Sequence, residues 1–307
     1  MDHKTYLSYG LKINSFIPLT GLTTSDDEAD VSIIRGNVRL DARYTDFDED
    51  HLVYRPGLSV RATPEYFIID WGRLGLCLIE GGKRAIFEVG DNIDETDLIP
   101  YITGPILGVL LHQRERLVLH ASAVNIHDRA IVFLGHKGAG KSTLAAHLQA
   151  AGYSLISDDM VPISFSDDIA QTLPGYPQIR LFPDSVKSMG LDPGNLPQIN
   201  SWINKRHFTP AGDFSLTPIT LGGIFILSVG DEISLTELNP YTAFMEIANN
   251  TYTGAFLKET GSIETHFKVC QKLVRSVPVR SLVRPHDYDR SEEIVDLIAR
   301  SVVTPAV

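Results

Sequence analysis

The chain has 307 residues, 43% hydrophobic and 21% charged, enough for a sizeable packed core in two domains or one large one. With 38 Asp and Glu against 27 Lys and Arg, its net charge of −11 argues against nucleic acid or an anionic membrane as the main partner. The two cysteines, Cys77 and Cys270, form no Cys-x-x-Cys pair and are expected as buried, reduced thiols in a reducing cytosol.

The amino terminus has no apolar core region, so no signal peptide is expected. The apolar stretch at 102–111 is too short to span a bilayer and contains Gly and Pro. A cytoplasmic protein is the expectation.

Residues 1 to about 90 are β-rich. The runs 6–13, 31–36, 58–63, 66–71, 72–81 and 84–89 alternate or cluster β-formers between turn residues. The acidic stretches 26–30 and 46–51 are expected as exposed loops. No catalytic cluster is visible there. A boundary falls in the polar segment 91–97, giving a small β-rich domain over 1–93 and a second domain over 94–307.

Residues 98–113 predict a helix with a broad apolar face, despite Pro100 and Pro105. Residues 117–124 predict one buried strand, and 125–129 a hairpin turn into the next strand. That strand, 130–134, is an apolar run rich in β-branched residues. It breaks at Gly135 and continues as His136-Lys137-Gly138-Ala139-Gly140-Lys141-Ser142-Thr143. The spacing Gly135, four residues, Gly140-Lys141-Ser142 fits G-x-x-x-x-G-K-[ST], the phosphate-binding loop pattern.

The chemistry needs those residue types there. A loop between a strand tip and a helix start aims backbone N–H groups inward, and the helix dipole adds positive potential. Glycines let the backbone wrap a phosphate without Cβ clashes. Lys141 is placed to reach the β- and γ-phosphates of a nucleotide and Ser142 to hold Mg²⁺. His136 and Lys137 sit at the loop tip. Residues 144–151 predict the following helix, and Gly152 its stop.

Residues 154–159 predict a strand ending in two adjacent carboxylates, Asp158 and Asp159. Open α/β sheets place their ligands at the carboxyl ends of strands, so this pair belongs where phosphate, metal and acceptor meet. A strand follows at 160–164, then a turn at 166–169. A short strand over 175–183 carries Arg180, and Pro183 starts a helix. Residues 192–205 are polar and turn-rich and are expected to be mobile. Lys205 and Arg206 are as readily solvated surface as phosphate or peptide contacts, and Trp202, His207 and His266 have no chemical context. A strand over 219–228, helices over 242–250 and 264–276, a strand over 277–283 and an amphipathic helix over 291–301 complete the chain.

Together, Leu119-His120-Ala121-Ser122-Ala123-Val124, the phosphate loop and Gly152-Tyr153-Ser154-Leu155-Ile156-Ser157-Asp158-Asp159 resemble the catalytic domain of HPr serine kinase/phosphorylase. That fold is related to the nucleotide-binding core of phosphoenolpyruvate carboxykinase. The resemblance is specific from about 120 to 161, weaker to about 285, and absent before about 95. It implies a mixed α+β or α/β catalytic domain. It implies that Gly135, His136, Lys137, Gly138, Ala139, Gly140, Lys141, Ser142 and Thr143 bind ATP, with Ser142 and Asp159 on Mg²⁺. His120 would sit near the γ-phosphate, Asp158 would take the proton of an acceptor hydroxyl, and Arg180 would steady the transferred phosphoryl charge.

The departures carry information. Gln178 stands where the family has a Glu, Thr143 where it has another, and Leu181-Phe182-Pro183-Asp184-Ser185-Val186 replaces the later glycine-rich signature. These changes argue against HPr as substrate and against phosphorolysis. The Leu119–Val124 motif, Gly175-Tyr176-Pro177-Gln178-Ile179-Arg180-Leu181-Phe182-Pro183-Asp184 and the late Val277-Pro278-Val279-Arg280 look closer to a branch linked to ribosomal peptides. Tyr9-Gly10-Leu11-Lys12-Ile13-Asn14-Ser15 also resembles that branch. Its lasso-peptide members phosphorylate a serine at the C-terminal end of the precursor. The implied partner is such a peptide or another serine-bearing acceptor, with peptide recognition by residues 1–93 and a homo-oligomer as further expectations; the family's hexamer does not carry over, because the N-terminal region differs. Two rivals stay open: a regulatory ATPase without a peptide acceptor, and a small-molecule kinase.

Overall fold

The computed structural model describes residues 4–45, 52–55, 57–200, 203–210, 212, 214–286 and 289–302. The acidic stretch at 46–51 and Trp202 lie outside them. By contact the chain divides into two units, Met1–Leu117 with Thr253–Phe267, and Val118–Tyr252 with Lys268–Val307. Both mix helices with sheets. No helix among the described residues is long and apolar enough to cross a membrane.

The first unit holds a nine-stranded sheet of β1 (Thr5–Ser8), β2 (Leu11–Ser15), β3 (Thr23–Ser25), β4 (Val31–Arg35), β5 (Leu52–Arg55), β6 (Leu58–Ala62), β7 (Tyr66–Asp70), β8 (Gly75–Glu80) and β9 (Arg84–Val89). Its order is β3-β1-β2-β4-β9-β8-β7-β6-β5. The run expected at 6–13 is a hairpin of two strands. Tyr9 and Gly10 both have positive φ, as a two-residue turn matching the strands' twist requires. On one face Leu76 and Leu78 pack with Val38 and Ile68. Phe67 points the other way, its ring edge-on to His112 and to Phe256 at 5.9 and 5.7 Å.

The helix expected over 98–113 is a composite. A short turn capped by Asp94 leads into Ile99–Tyr101, a wide turn at Ile102–Ile106 and then Leu107–Gln113. Pro105 lies inside the wide turn. It lacks the N–H a regular helix would use there, and the widened turn accommodates the loss.

The second sheet is built from β10 (Leu117–Leu119), β11 (Ser122–Ile126), β12 (Arg129–Leu134), β13 (Ser154–Ser157), β14 (Val161–Ser166), β15 (Ile169–Thr172) and, beyond a smaller sheet, β19 (Ile219–Val229). Its order is β10-β14-β15-β19-β12-β11-β13. The smaller three-stranded sheet takes β16 (Ile179–Leu181), β17 (Gln198–Asn200) and β18 (Ile203–Phe208). Thus the segment expected to be a mobile turn-rich stretch instead carries β17 and part of β18. On the far side of β19 lie β20 (Ser234–Glu237) and β21 (Val279–Arg284).

The strand expected over 117–124 is broken in two at His120-Ala121. Its halves belong to different parts of the sheet, with β10 beside β14 and β11 between β12 and β13. The break is held by a segment remote in sequence: His120 N–H donates to Asn250 O at 2.7 Å, and Tyr252 N–H to Val118 O at 2.8 Å.

Register positions the site. β11 runs antiparallel to both β12 and β13, so β12 and β13 run the same way. The carboxyl ends of both strands, and the first residue of β11, therefore share one edge. Gly135 leaves that edge from β12, Asp158 and Asp159 leave it from β13, and Ser122 stands between, paired with Phe133. Below that edge, Val124, Ile126, Ile131 and Phe133 face Leu144, Ala145 and Leu148 of the helix Lys141–Ala150. Each fully buried large side chain there contributes roughly 1.5–3 kcal/mol.

Candidate phosphate-binding site

The loop after β12 is shaped by backbone freedom that only glycine gives cheaply. Gly135 and Gly140 have φ of 147° and 87°. A Cβ at Gly140 would clash with Arg284 Nη2, and one at Gly135 would meet the Leu227 carbonyl at 2.9 Å. The Arg284 guanidinium is buried against the loop, and its Nη2 donates to Ala139 O at 2.6 Å. Gly135 N–H donates to Asn250 Oδ1 at 3.3 Å. Lys141, in the first turn of the helix, folds back on the loop and donates to Gly135 O at 2.7 Å and His136 O at 3.4 Å. Burial holds its pKa below the ordinary lysine value, against the pull of Asp158 and Asp159.

A cavity of about 280 Å³ opens on this loop. Lys137, Gly138, Gly140, Lys141, Ser142 and Thr143 line it, and so do His120, Asp159 and Arg180. Gly135, His136 and Ala139 contribute no wall. Their carbonyls instead hold Lys141 and Arg284. Asp158 is also off the wall.

The two carboxylates diverge because Asp159 has φ of 75°, an uncommon conformation outside glycine. Asp158 is 5% exposed. Its Oδ1 accepts from Ser122 Oγ at 2.6 Å and its Oδ2 from the Arg180 N–H at 3.0 Å. Asp159 faces the cavity, where Arg180 Nη1 donates to its Oδ2 at 3.2 Å. Arg180 Nη2 also donates to the Tyr176 hydroxyl at 2.9 Å. His120 Nδ1 lies 3.1 Å from the Asp159 carbonyl oxygen and 3.5 Å from its Oδ1. Burial lowers the His120 pKa, opposed by Asp159. A neutral ring with its proton on Nδ1 satisfies both oxygens.

Several residues here carried no assigned role in the sequence. Ser122, Phe182 and His286 line the cavity, and Lys205 lies on its wall with Nζ 5.0 Å from the Phe182 ring centre. Arg206 turns away, its Nε donating to Pro193 O. His207 pairs across the small sheet with Arg180, while His266 belongs to the other unit. Arg284 and Asn250 have no local motif. They reach the loop from 145 and 115 residues away, and no spacing rule would find them.

Ser142 and Asp159 offer hard oxygen donors in one cavity, which suits Mg²⁺. Among the described residues no group of three His, Cys, Asp or Glu side chains is placed to hold a metal ion by itself. An ion held by these two would take its remaining ligands from phosphate and water, as Mg²⁺ characteristically does.

No family model matches the sequence, and no curated protein matches it. Among solved structures, the chain is similar to the Hpr(Ser) kinase/phosphatase from Coxiella burnetii at 11% identity, over 60% of this chain and 95% of that one, with a TM-score of 0.31.

Proposed function

We propose that this chain is an ATP- and Mg²⁺-dependent kinase that transfers a γ-phosphoryl group to a peptide serine, the C-terminal serine of a ribosomal, lasso-type precursor. One observation carries the phosphotransferase reading. A glycine-shaped loop that opens a helix faces an Asp–Arg–His group across one cavity, at the edge where two like-directed strands end. The peptide acceptor is supported by the sequence resemblance of residues 119–124 and 175–184 to the peptide-modifying branch.

Each residue has a task that follows from its chemistry. The loop N–H groups and the helix start attract the phosphate tail. Lys141 exchanges neutral carbonyl partners for a charged phosphate oxygen, a stronger acceptor. Ser142 and Asp159 would hold Mg²⁺, which supplies charge neutralisation for the phosphates. Arg180, anchored by Tyr176 and Asp159, presents its guanidinium to the phosphoryl oxygens. His120 is steered by the Asp159 backbone. A carboxylate of the Asp158–Asp159 pair receives the acceptor's proton. Phosphoryl transfer asks mainly for such positioning and charge neutralisation.

The test is incubation with γ-labelled ATP and a panel of synthetic peptides ending in serine, with peptides ending in alanine as controls. Label on the terminal serine is expected. Release of phosphate to water alone would replace this reading with a regulatory ATPase, and label in an added metabolite with a small-molecule kinase.

A further inference from the structure

We propose that Ser122 is the proton relay of this reaction, taking the acceptor's proton and passing its own to Asp158; this deepens, and rests on, the phosphotransferase reading above. Asp158 is enclosed, with both carboxylate oxygens occupied. It forms no part of the cavity wall, whereas Ser122, which holds its Oδ1 at 2.6 Å, does. Asp158 therefore meets the cavity through that hydroxyl.

The other candidates are committed elsewhere. Among the lining hydroxyls, Thr143 and Ser185 bond each other at 2.8 Å, and Ser142 opens the helix beside Lys141. Of the lining carboxylates, Asp159 is ion-paired with Arg180, and the Asp184 side chain is 96% exposed in solvent. A hydroxyl hydrogen-bonded to a carboxylate is the arrangement that moves a proton from a reacting group. The sheet holds it in place: Ser122 pairs with Phe133 two residues before Gly135, and its neighbour Ala123 pairs with Ser157, the residue before Asp158.

The step balances. As the acceptor oxygen bonds the γ-phosphorus, the bond from that phosphorus to the β–γ bridging oxygen breaks, and ADP leaves with the electron pair. The acceptor's proton moves to Ser122 Oγ while the Ser122 proton moves to Asp158 Oδ1. Asp158 returns a proton through Ser122 to solvent before the next turnover.

The experiment compares the full chain with Ser122→Ala, Asp158→Asn, the double variant and Ser122→Thr. Nucleotide affinity is read by titration with a fluorescent ATP analogue. Turnover is read with MgATP as phosphate released to water and as label on the serine-terminated peptides. Each single variant is expected to lose about 100-fold or more in turnover, with affinity within about threefold of the parent. The double variant is expected to lose no more than either single one, because both cut the same path. Ser122→Thr, which keeps a hydroxyl, is expected to recover most of the rate. Turnover of Ser122→Ala at a third or more of the parent, or additive losses in the double variant, overturns the relay while leaving the kinase reading intact. If Ser122→Ala fails to fold, Ser122→Thr and Asp158→Asn decide: an inactive, folded threonine variant or an active asparagine variant overturns it. A parent chain that binds nucleotide and never turns it over overturns the kinase reading itself, and the relay with it.

Discussion

Lys141 shows how a single side chain is held ready. It is 7% exposed, and its ammonium rests on two loop carbonyls. If the loop cradles phosphate as proposed, removing it takes away a charge-assisted bond worth about 1.5–3 kcal/mol. Lys141→Ala is therefore expected to weaken binding of an ATP analogue by roughly 10- to 100-fold in a titration. An unchanged affinity would remove the loop as a phosphate cradle. At the same scale, Asp158 and Asp159 are one residue apart in sequence and differ entirely in surroundings. Which of the two meets the cavity is decided by the positive φ at Asp159. Residue spacing carries no information about that turn.

Among the elements, the loop after β12 depends on its glycines unequally. Gly138 and Gly140 share a left-handed backbone, with φ of 88° and 87°. An L residue pays about 1–2 kcal/mol for that conformation. A Cβ on Gly138 would enter open space, whereas one on Gly140 would strike Arg284. Gly138→Ala is expected to lower the melting temperature by a few degrees. Gly140→Ala is expected to lower it further and to weaken nucleotide binding as well, since Arg284 would have to release Ala139. Equal effects in thermal melts of the two variants would show that the Arg284 contact is unimportant. The broken strand at His120-Ala121 belongs to this scale too. Locally, 117–124 reads as one β-forming run, apolar apart from His120 and Ser122, and the strand breaks where Leu119 pairs with Thr251.

For the molecule as a whole, half-buried histidines shape the response to acid. His112 bonds Thr253 Oγ1 through Nδ1 at 3.1 Å and Thr260 Oγ1 through Nε2 at 3.2 Å. Burial, helped by the charge of His266, pushes its pKa down to about 4. Because the folded value lies below the unfolded one, the unfolded chain binds the extra proton between about pH 6.5 and 4. The stability from the neutral ring is thus complete above pH 6.5 and declines as pH falls toward 4, by at most about 1.4 kcal/mol per pH unit for one group. His207, also pushed down to about 4 by burial, adds to the same slope. Melting temperature is expected to fall steadily over that window, and His112→Gln to flatten the fall. A parent chain with a level profile from pH 7 to 4.5 would contradict this.

The sequence by itself determined the local elements of the site. A β-branched run, a glycine-spaced loop, an Ala- and Leu-rich helix and a strand closing on two carboxylates each follow from short-range propensity and pattern, and all four stand in the structure. Tertiary structure alone decided how they meet. The register of β11 between β12 and β13 set the loop, Ser122 and the carboxylates on one edge, and the turn at Asp159 sent one carboxylate into the cavity and the other behind Ser122. Arg284 and Asn250 came to the loop from distant segments. Strand pairing and loop contacts are long-range, satisfied by whichever backbone the whole fold brings alongside, so no window of sequence contains them.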